Sequence, residues 1–117
     1  MQLLVAVLLI LGAKESFAKL HSIAVCVANR HYIYWGGLPN SPSYSYYKQY
    51  EILKEPTKCA CSYYLRRNKG GTQQWDHCHD CHIEKEMLCV SHGWHIGGDE
   101  FDYYCEQLCG AQGSEAN

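Results

Sequence analysis

The chain has 117 residues, eight of them cysteine, and a formal net charge of −2 at neutral pH. This length allows one domain after a leader, and a chain this short can bury only a limited hydrophobic core. A net charge close to zero excludes a strong general attraction to nucleic acid or to anionic membranes.

The N-terminus has the pattern of a secretory signal peptide. The unbroken apolar run at residues 3–11 is long enough for a signal core and too short to cross a bilayer as a helix. Ser16 and Ala18 place small residues at the positions that signal peptidase prefers. We therefore expect a signal peptide at residues 1–18 and one secreted domain at residues 19–117, without a membrane span. The alternative for the apolar run is a short buried helix.

The first element predicted in the mature chain is a strand at residues 21–29. Its β-branched residues favour extended backbone, and both of its faces are apolar. We expect it to be a central strand that is covered on both sides. Residues 32–56 follow, a segment interrupted by Gly and Pro that indicates a loop. Within it, residues 44–53 could form either an irregular edge strand or a short helix.

A helix is predicted from Thr57 to the glycine pair Gly70-Gly71. Residues 81–90 predict one strand, and a turn at residues 92–93 leads to a short second strand through Ile96. Together with a second helix near the C-terminus, this order indicates an α+β fold, in which two helices pack on a small antiparallel sheet.

The C-terminal helix has the clearest pattern. Asp99 is suited to cap its start, and Gly110 is suited to end it in a left-handed conformation. The tail from Ala111 onward is polar, and we expect it to be frayed. Helical spacing predicts that one face carries Phe101, Tyr104, Cys105, Leu108 and Cys109.

All eight cysteines lie in the predicted mature domain. An even number of cysteines in a short exported chain predicts a disulfide framework of up to four bridges. The sequence does not determine the pairing, except that two cysteines on one helical face must reach two different places. The predicted disulfide residues are Cys26, Cys59, Cys61, Cys78, Cys81, Cys89, Cys105 and Cys109.

The segment HCHDCH at residues 77–82 combines histidine with a Cys-x-x-Cys spacing. Two thiolates at this spacing could bind zinc, with His92 and His95 completing the site, or could form a thioredoxin-like redox pair. Because an oxidising compartment favours the pairing of thiols, we expect structural disulfides here, and we assign no metal site and no cofactor.

The sequence offers little support for catalysis. It contains no G-x-S-x-G motif, and an even cysteine count leaves no thiol for Cys–His chemistry. The acidic residues Asp99, Glu100 and Asp102 are explained more simply by the favourable interaction of negative charge with a helix start. We therefore expect no catalytic residue and no enzymatic activity.

Tyrosine is unusually frequent in this chain. Ten tyrosines and three tryptophans exceed what a domain of this size can bury, and both residue types commonly anchor protein interfaces. The alternative is that these rings cover the disulfides and an open sheet edge. The predicted binding surface consists of Tyr32, Tyr34, Trp35, Tyr44, Tyr46, Tyr47 and Tyr50.

Charge is distributed unevenly along the predicted mature domain. Residues 19–75 contain eight basic and two acidic side chains, whereas residues 76–117 contain nine acidic and one basic. The two halves could pack together and neutralise each other. Alternatively, the asymmetry could produce a dipolar surface that steers a charged partner.

The leader, the short mature chain, the eight cysteines and two segments carry a resemblance to known proteins. The segments CACSYYLRRNKGGTQQWDHCHDC and HIGGDEFDYYCEQLCGA resemble those of small cysteine-rich effectors secreted by plant-associated fungi. The arrangement is similar to effectors of the secreted-in-xylem type from wilt fungi, and more loosely to killer-toxin-like α/β effectors.

This resemblance implies a non-enzymatic virulence factor that acts in the host apoplast or xylem, or after entry into host cells. It implies a host protein or a co-secreted effector as partner, in some members as a heterodimer. From the net charge, we expect no nucleic acid as partner. An alternative is a secreted toxin or antimicrobial protein that acts on competing cells. A third hypothesis is a secreted hydrolase or metal-binding protein built on the histidine–cysteine segment.

Overall fold

The computed structural model describes residues 20–35 and 45–117. Helix α1 spans Lys54–Leu65, and helix α2 spans Gly98–Tyr103 and continues into a π-helical turn at Tyr104–Leu108. Within these residues, two helices and antiparallel sheets confirm the predicted α+β class. The strands are β1 (Leu20–His21), β2 (Ile23–Trp35), β3 (Ser45–Ile52), β4 (His82–Glu84), β5 (Leu88–Val90), β6 (Ile96–Gly97) and β7 (Gly113–Ala116).

Strand β2 is the centre of the main sheet. Val27 pairs with Ile52 of β3 and with Gly113 of β7, which places these two strands on opposite edges of β2. Strand β5 pairs with the start of β2 on the edge that β3 uses farther along, and β4 pairs with β5. All residues from Ala24 to Ala28 are buried, so this part of β2 is central and covered on both faces, as predicted.

Helix α1 fills the gap that β3 and β5 leave along one edge of β2. The Cys26 carbonyl accepts a hydrogen bond from the Leu53 N–H at 2.9 Å, and the Cys26 N–H donates to Thr57 Oγ1 at 2.9 Å. The helix begins at Lys54, three residues before the predicted start. Pro56 is tolerated in the first turn because the N–H groups there have no intrahelical partner.

Strand β2 is longer than the sequence predicts. It continues to Trp35 and pairs with β3, so the strand alternative for residues 44–53 is the correct one for the described residues from Ser45 onward. The register shifts between Ala28 and His31, where Asn29 has a φ of 56°. Such a bulge increases the local twist and redirects the ribbon that follows.

Residues 81–90 form a hairpin, and the prediction of a single strand there is wrong. Lys85 and Glu86 have positive φ values of 53° and 62°, and the Met87 N–H donates to the Glu84 carbonyl across the turn. Glycine or asparagine usually provides this backbone geometry. Because neither is present in this turn, no local signal predicts the reversal.

The C-terminal segment is an ordered strand, and the prediction of a frayed tail is wrong. Strand β7 pairs with Ala24–Val27 and satisfies backbone groups of the buried central strand. The Asn117 side-chain oxygen also accepts hydrogen bonds from the Ser22 and Ile23 N–H groups, each at 3.1 Å. The polar composition of the segment suits its outer position in the sheet.

Helix α2 confirms the predicted position and most of the predicted face. Phe101, Tyr104 and Cys105 are buried, but Leu108 is 45% exposed because the last turn widens into a π-helix. Gly97 occupies the position before the first helical residue, so the predicted cap at Asp99 is wrong. Gly110 has a φ of 77° and follows the helix end as predicted.

The eight cysteines form four disulfides, as the sequence predicts. Cys105 is bonded to β2 and Cys109 to α1, so the two cysteines of one helical face reach two different elements. Most of the sulfur lies inside the core, where six of the eight cysteines are buried. The bridges are Cys26–Cys105, Cys59–Cys109, Cys61–Cys89 and Cys78–Cys81.

Candidate functional site

The paired ends of β2 and β3 form a two-stranded ribbon, defined here as residues 30–35 and 45–50. Tyr32 pairs with Lys48 and Tyr34 pairs with Tyr46. Because side chains alternate between the two faces of a strand, these four residues lie on one face of the ribbon. We call the group Tyr32, Tyr34 and Tyr46 the tyrosine face.

The rings of the tyrosine face contact one another and remain open to solvent. The Tyr46 ring lies 5.8 Å from Tyr32, edge to face, and 5.6 Å from Tyr34, measured between ring centroids. These spacings and tilts are the ones that aromatic pairs favour. The three residues are 49%, 59% and 59% exposed in chain order. The rings are therefore held in place by one another while their outer surfaces are accessible.

A group of charged side chains holds the base of the ribbon against β7. Glu115 accepts a hydrogen bond from Lys48 Nζ at 2.8 Å and forms a salt bridge with Arg30 Nε at 2.5 Å. Arg30 also donates to the Ser114 carbonyl. The hydrogen bond to Glu115 raises the pKa of Lys48 above its ordinary value. At this position one acidic residue of the C-terminal half pairs with two basic residues of the first half, as the first of the two charge hypotheses predicts.

The opposite face of the ribbon carries a contact between a histidine and a glutamine. His31 Nε2 lies 2.9 Å from Gln49 Oε1, and His31 Nδ1 lies 2.9 Å from the Asn29 carbonyl. Tyr47 pairs with Ile33 on this face. The predicted tyrosines are therefore divided between two faces, and the tyrosine face contains the ring contacts described above.

The structure places five of the seven predicted surface residues in exposed positions on the ribbon: Tyr32, Tyr34, Tyr46, Tyr47 and Tyr50. Tyr44 and the side chain of Trp35 lie outside the described residues. Tyr64 and Tyr104, in contrast, are buried in the core. Whether the exposed rings bind a partner stays a prediction.

Three charged residues beside the tyrosine face were not predicted from the sequence. Lys48 alternates with Tyr46 and Tyr50, so the strand period would have placed it on the same face. No signal in the sequence links Glu115 to Arg30 and Lys48, because their proximity depends on the pairing of β7 with β2.

The histidine-rich segment is organised around a disulfide and an aspartate. The bridge between Cys78 and Cys81 removes both thiolates from the zinc site considered for this segment. Asp80 lies between them, and its carboxylate accepts hydrogen bonds from Ser91 Oγ at 2.7 Å and from the Gly93 N–H at 2.8 Å. Partial burial raises the pKa of Asp80, but these hydrogen bonds outweigh it and hold that pKa below its ordinary value.

Four histidines of this region form two pairs. The rings of His79 and His95 lie 5.0 Å apart, and those of His82 and His92 lie 5.4 Å apart. His82 also forms a 2.7 Å ion pair with Glu84. The hydrogen bonds to the Asp80 carbonyl and to Glu84 raise the pKa of His82, while His82 lowers the pKa of Glu84.

These features define the class of the molecule: a small α+β domain that four disulfides stabilise and that displays an exposed aromatic ribbon. Such dense cross-linking is typical of small extracellular proteins. Residues 19–114 match the family model of biotrophy-associated secreted protein 4, and the chain belongs to this family. Membership supports an extracellular location and assigns the chain to a group of secreted effectors.

The match agrees with the broad resemblance to cysteine-rich secreted effectors but does not confirm the narrower one to the secreted-in-xylem type. No curated protein and no solved structure matches the chain significantly. Within residues 20–35 and 45–117, no helix has the length and hydrophobicity needed to cross a membrane.

Proposed function

We propose that this protein is a non-enzymatic effector of a plant-associated fungus that binds a host protein, or a second effector, through its tyrosine face. Its site of action would be the host apoplast or xylem. Membership of a secreted, biotrophy-associated family supports the effector role. The observation that carries the binding role is the set of three mutually contacting, exposed rings of Tyr32, Tyr34 and Tyr46.

The chemistry of this surface suits a protein partner. Tyrosine provides a large apolar area with a polar hydroxyl tip, and it is enriched among the residues that dominate binding energy. The strand backbone and the ring contacts order these side chains before binding, which reduces the entropy lost on association. Arg30 and Lys48 lie beside the rings, and Glu115 holds both of them.

The edge of β2 offers a second element of recognition. Strand β7 pairs with β2 as far as Val27, and within the described residues no strand pairs with that edge beyond this point. An extended partner segment could add to such an edge by backbone hydrogen bonding. We propose that the partner supplies this segment and covers the tyrosine face with its side chains.

A capture experiment with matched variants tests the proposal. The test variant combines Tyr34→Thr with Tyr46→Thr, which removes two rings and keeps residues that favour strands. The control is Tyr103→Thr, a tyrosine that is 52% exposed on α2, away from the ribbon. Circular dichroism and intact mass verify that each variant is folded and fully oxidised.

We expect the wild-type protein and the control to capture the same saturable partner from host fluid, alone or with co-secreted effectors. The double variant should bind that partner about 30-fold more weakly or worse, as expected for the loss of an interface hot spot. Equal binding by the double variant, or no saturable partner at all, would contradict the proposal.

A further inference from the structure

Three potential metal ligands converge at the end of the β4–β5 hairpin. His82 Nε2, Glu84 Oε2 and His92 Nε2 all lie within 4.8 Å of one another. The carboxylate oxygen of Glu84 is 2.7 Å from His82 Nε2 and 3.4 Å from His92 Nε2. All three side chains are accessible to solvent, so an ion could reach them without a change of fold.

The local fold explains why these atoms meet. His82 and Glu84 are two residues apart on β4 and therefore lie on the same face of the hairpin. His92 follows β5, the strand that pairs with β4, so it returns to the end of the hairpin where His82 lies. The arrangement depends on the reversal at Lys85 and Glu86, which the sequence did not predict.

Asp80 positions both histidines. Its backbone carbonyl accepts a hydrogen bond from His82 Nδ1 at 2.8 Å, while its carboxylate holds Ser91 and Gly93, the residues on either side of His92. A histidine that binds a metal commonly donates its other ring N–H to a carbonyl in this way. Because Nδ1 is the donor in this bond, a metal ion would displace the proton that Nε2 shares with Glu84, and the Nε2 lone pair would then face the ion.

We propose that His82, Glu84 and His92 bind one Zn²⁺ ion and leave a fourth coordination position open to solvent. Two imidazole nitrogens and one carboxylate oxygen are a donor set that zinc accepts in tetrahedral sites. Zinc–ligand distances near 2.1 Å imply about 3.4 Å between neighbouring ligand atoms. The His92–Glu84 distance already has this value, and the His82–Glu84 distance must increase by about 0.7 Å.

This site differs from the one that the Cys-x-x-Cys spacing suggested. It uses none of the cysteines and leaves all four disulfides intact. Its ligands come from β4 and from the turn after β5, so a bound ion would link the two. The site is also independent of the tyrosine face, and either proposal can fail without the other.

Zinc titration of the oxidised protein, followed by long-range ¹H–¹⁵N spectra of the histidine rings, tests the proposal. We expect one equivalent of zinc to shift the Nε2 resonances of His82 and His92, while Nδ1 of His82 keeps its proton. Calorimetry on the same samples gives the affinity and the stoichiometry. The matched control is His79→Gln, because His79 lies in the same segment but pairs with His95.

We expect His92→Gln and Glu84→Gln each to weaken zinc binding about tenfold or more, and the control to bind as the wild type does. His92 is 77% exposed in its side chain, so its replacement should not disturb folding. The proposal is overturned by unshifted resonances at about 1 mM zinc. It is equally overturned by shifts confined to His79 and His95, or by unchanged affinity in His92→Gln.

Discussion

Thr57 Oγ1 accepts a hydrogen bond from the backbone N–H of Cys26 at 2.9 Å and so joins the first turn of α1 to the middle of β2. Both residues are completely buried. On this edge of β2, β5 pairs up to Ala24 and β3 pairs from Val27 onward. Within the described residues no strand pairs with Cys26 on this edge, and the bond to Thr57 takes that place. A single hydroxyl therefore satisfies the Cys26 N–H, while the Leu53 N–H satisfies the Cys26 carbonyl.

Replacement of this hydroxyl should destabilise the fold. Thr57→Val keeps the shape of the side chain but leaves the buried Cys26 N–H without an acceptor, at a cost of about 1–3 kcal/mol in the free energy of unfolding. Urea unfolding measures the loss, and hydrogen exchange of the Cys26 amide locates it. In Thr57→Ser the amide should stay protected. A Val variant with unchanged Cys26 exchange would show that the bond does not form.

Tyr64 is a second buried hydroxyl that joins separate segments. It donates to the Trp75 carbonyl at 2.7 Å and accepts from the Gly97 N–H at 3.0 Å. Tyr64→Phe should lower the free energy of unfolding by about 1–3 kcal/mol, because the Trp75 carbonyl and the Gly97 N–H lose their hydrogen-bond partner. Tyr46→Phe, which alters an exposed residue, should change it by less than about 0.5 kcal/mol. Equal effects in the two variants would contradict this assignment.

The same residue predicts how stability changes in alkali. Burial raises the pKa of Tyr64 well above its ordinary value, so the folded state holds this proton more tightly than the unfolded state. The resulting stability is fully present below about pH 10, the pKa of an unfolded tyrosine, and is lost progressively above it. The stability difference between the wild type and Tyr64→Phe should therefore shrink as pH rises above 10. A stability difference that stays constant above pH 10 would contradict the raised pKa of Tyr64 in the folded state.

The four disulfides should contribute unequally to stability. Cys26 and Cys105 are 79 residues apart, whereas Cys78 and Cys81 are three apart. Loop-closure entropy predicts a loss of about 4.5 kcal/mol when the first bridge is replaced by an alanine pair, and of about 2 kcal/mol for the second. Urea unfolding under non-oxidising conditions ranks the two variants. The reverse order, or titratable thiols in the wild-type protein, would contradict the assignment of bridges.

Glu115 should fix the base of the ribbon. Glu115→Gln removes the ion pairs with Lys48 and Arg30, and we expect it to lower the free energy of unfolding by about 1 kcal/mol. Hydrogen exchange in the ribbon should become faster, and the pKa of Lys48 should fall toward its ordinary value. Glu86→Gln, in the exposed β4–β5 turn, is the control. If amide hydrogen exchange in the ribbon is identical in Glu115→Gln and Glu86→Gln, Glu115 does not stabilise the ribbon.

Local patterns were sufficient where neighbouring residues determine the conformation. The apolar residues on both faces of β2 and the helical spacing of Phe101, Tyr104 and Cys105 correctly predicted a covered strand and a buried helical face. Patterns failed where a distant segment decides the outcome. The C-terminal segment looked frayed because nothing in its composition reveals the open edge of β2 with which it pairs.

The candidate sites follow the same division. Exposure of Tyr32, Tyr34 and Tyr46 could be expected from the excess of aromatic residues, since a small core cannot hold them all. Their ring contacts required the register between β2 and β3. The convergence of His82 and His92 depends on the turn at Lys85 and Glu86, which has no glycine or asparagine to predict it, and on the hydrogen bonds of Asp80.

The sequence by itself determined that the chain has an even set of cysteines suited to cross-linking, an α+β order of elements and more tyrosine than a small core can bury. The tertiary structure alone decided which cysteines pair, which face the tyrosines share, and that Glu115 lies beside Lys48. The physical reason is that composition and periodicity act over a few neighbouring residues. Disulfide pairing, strand register and ion pairs join residues that are far apart along the chain.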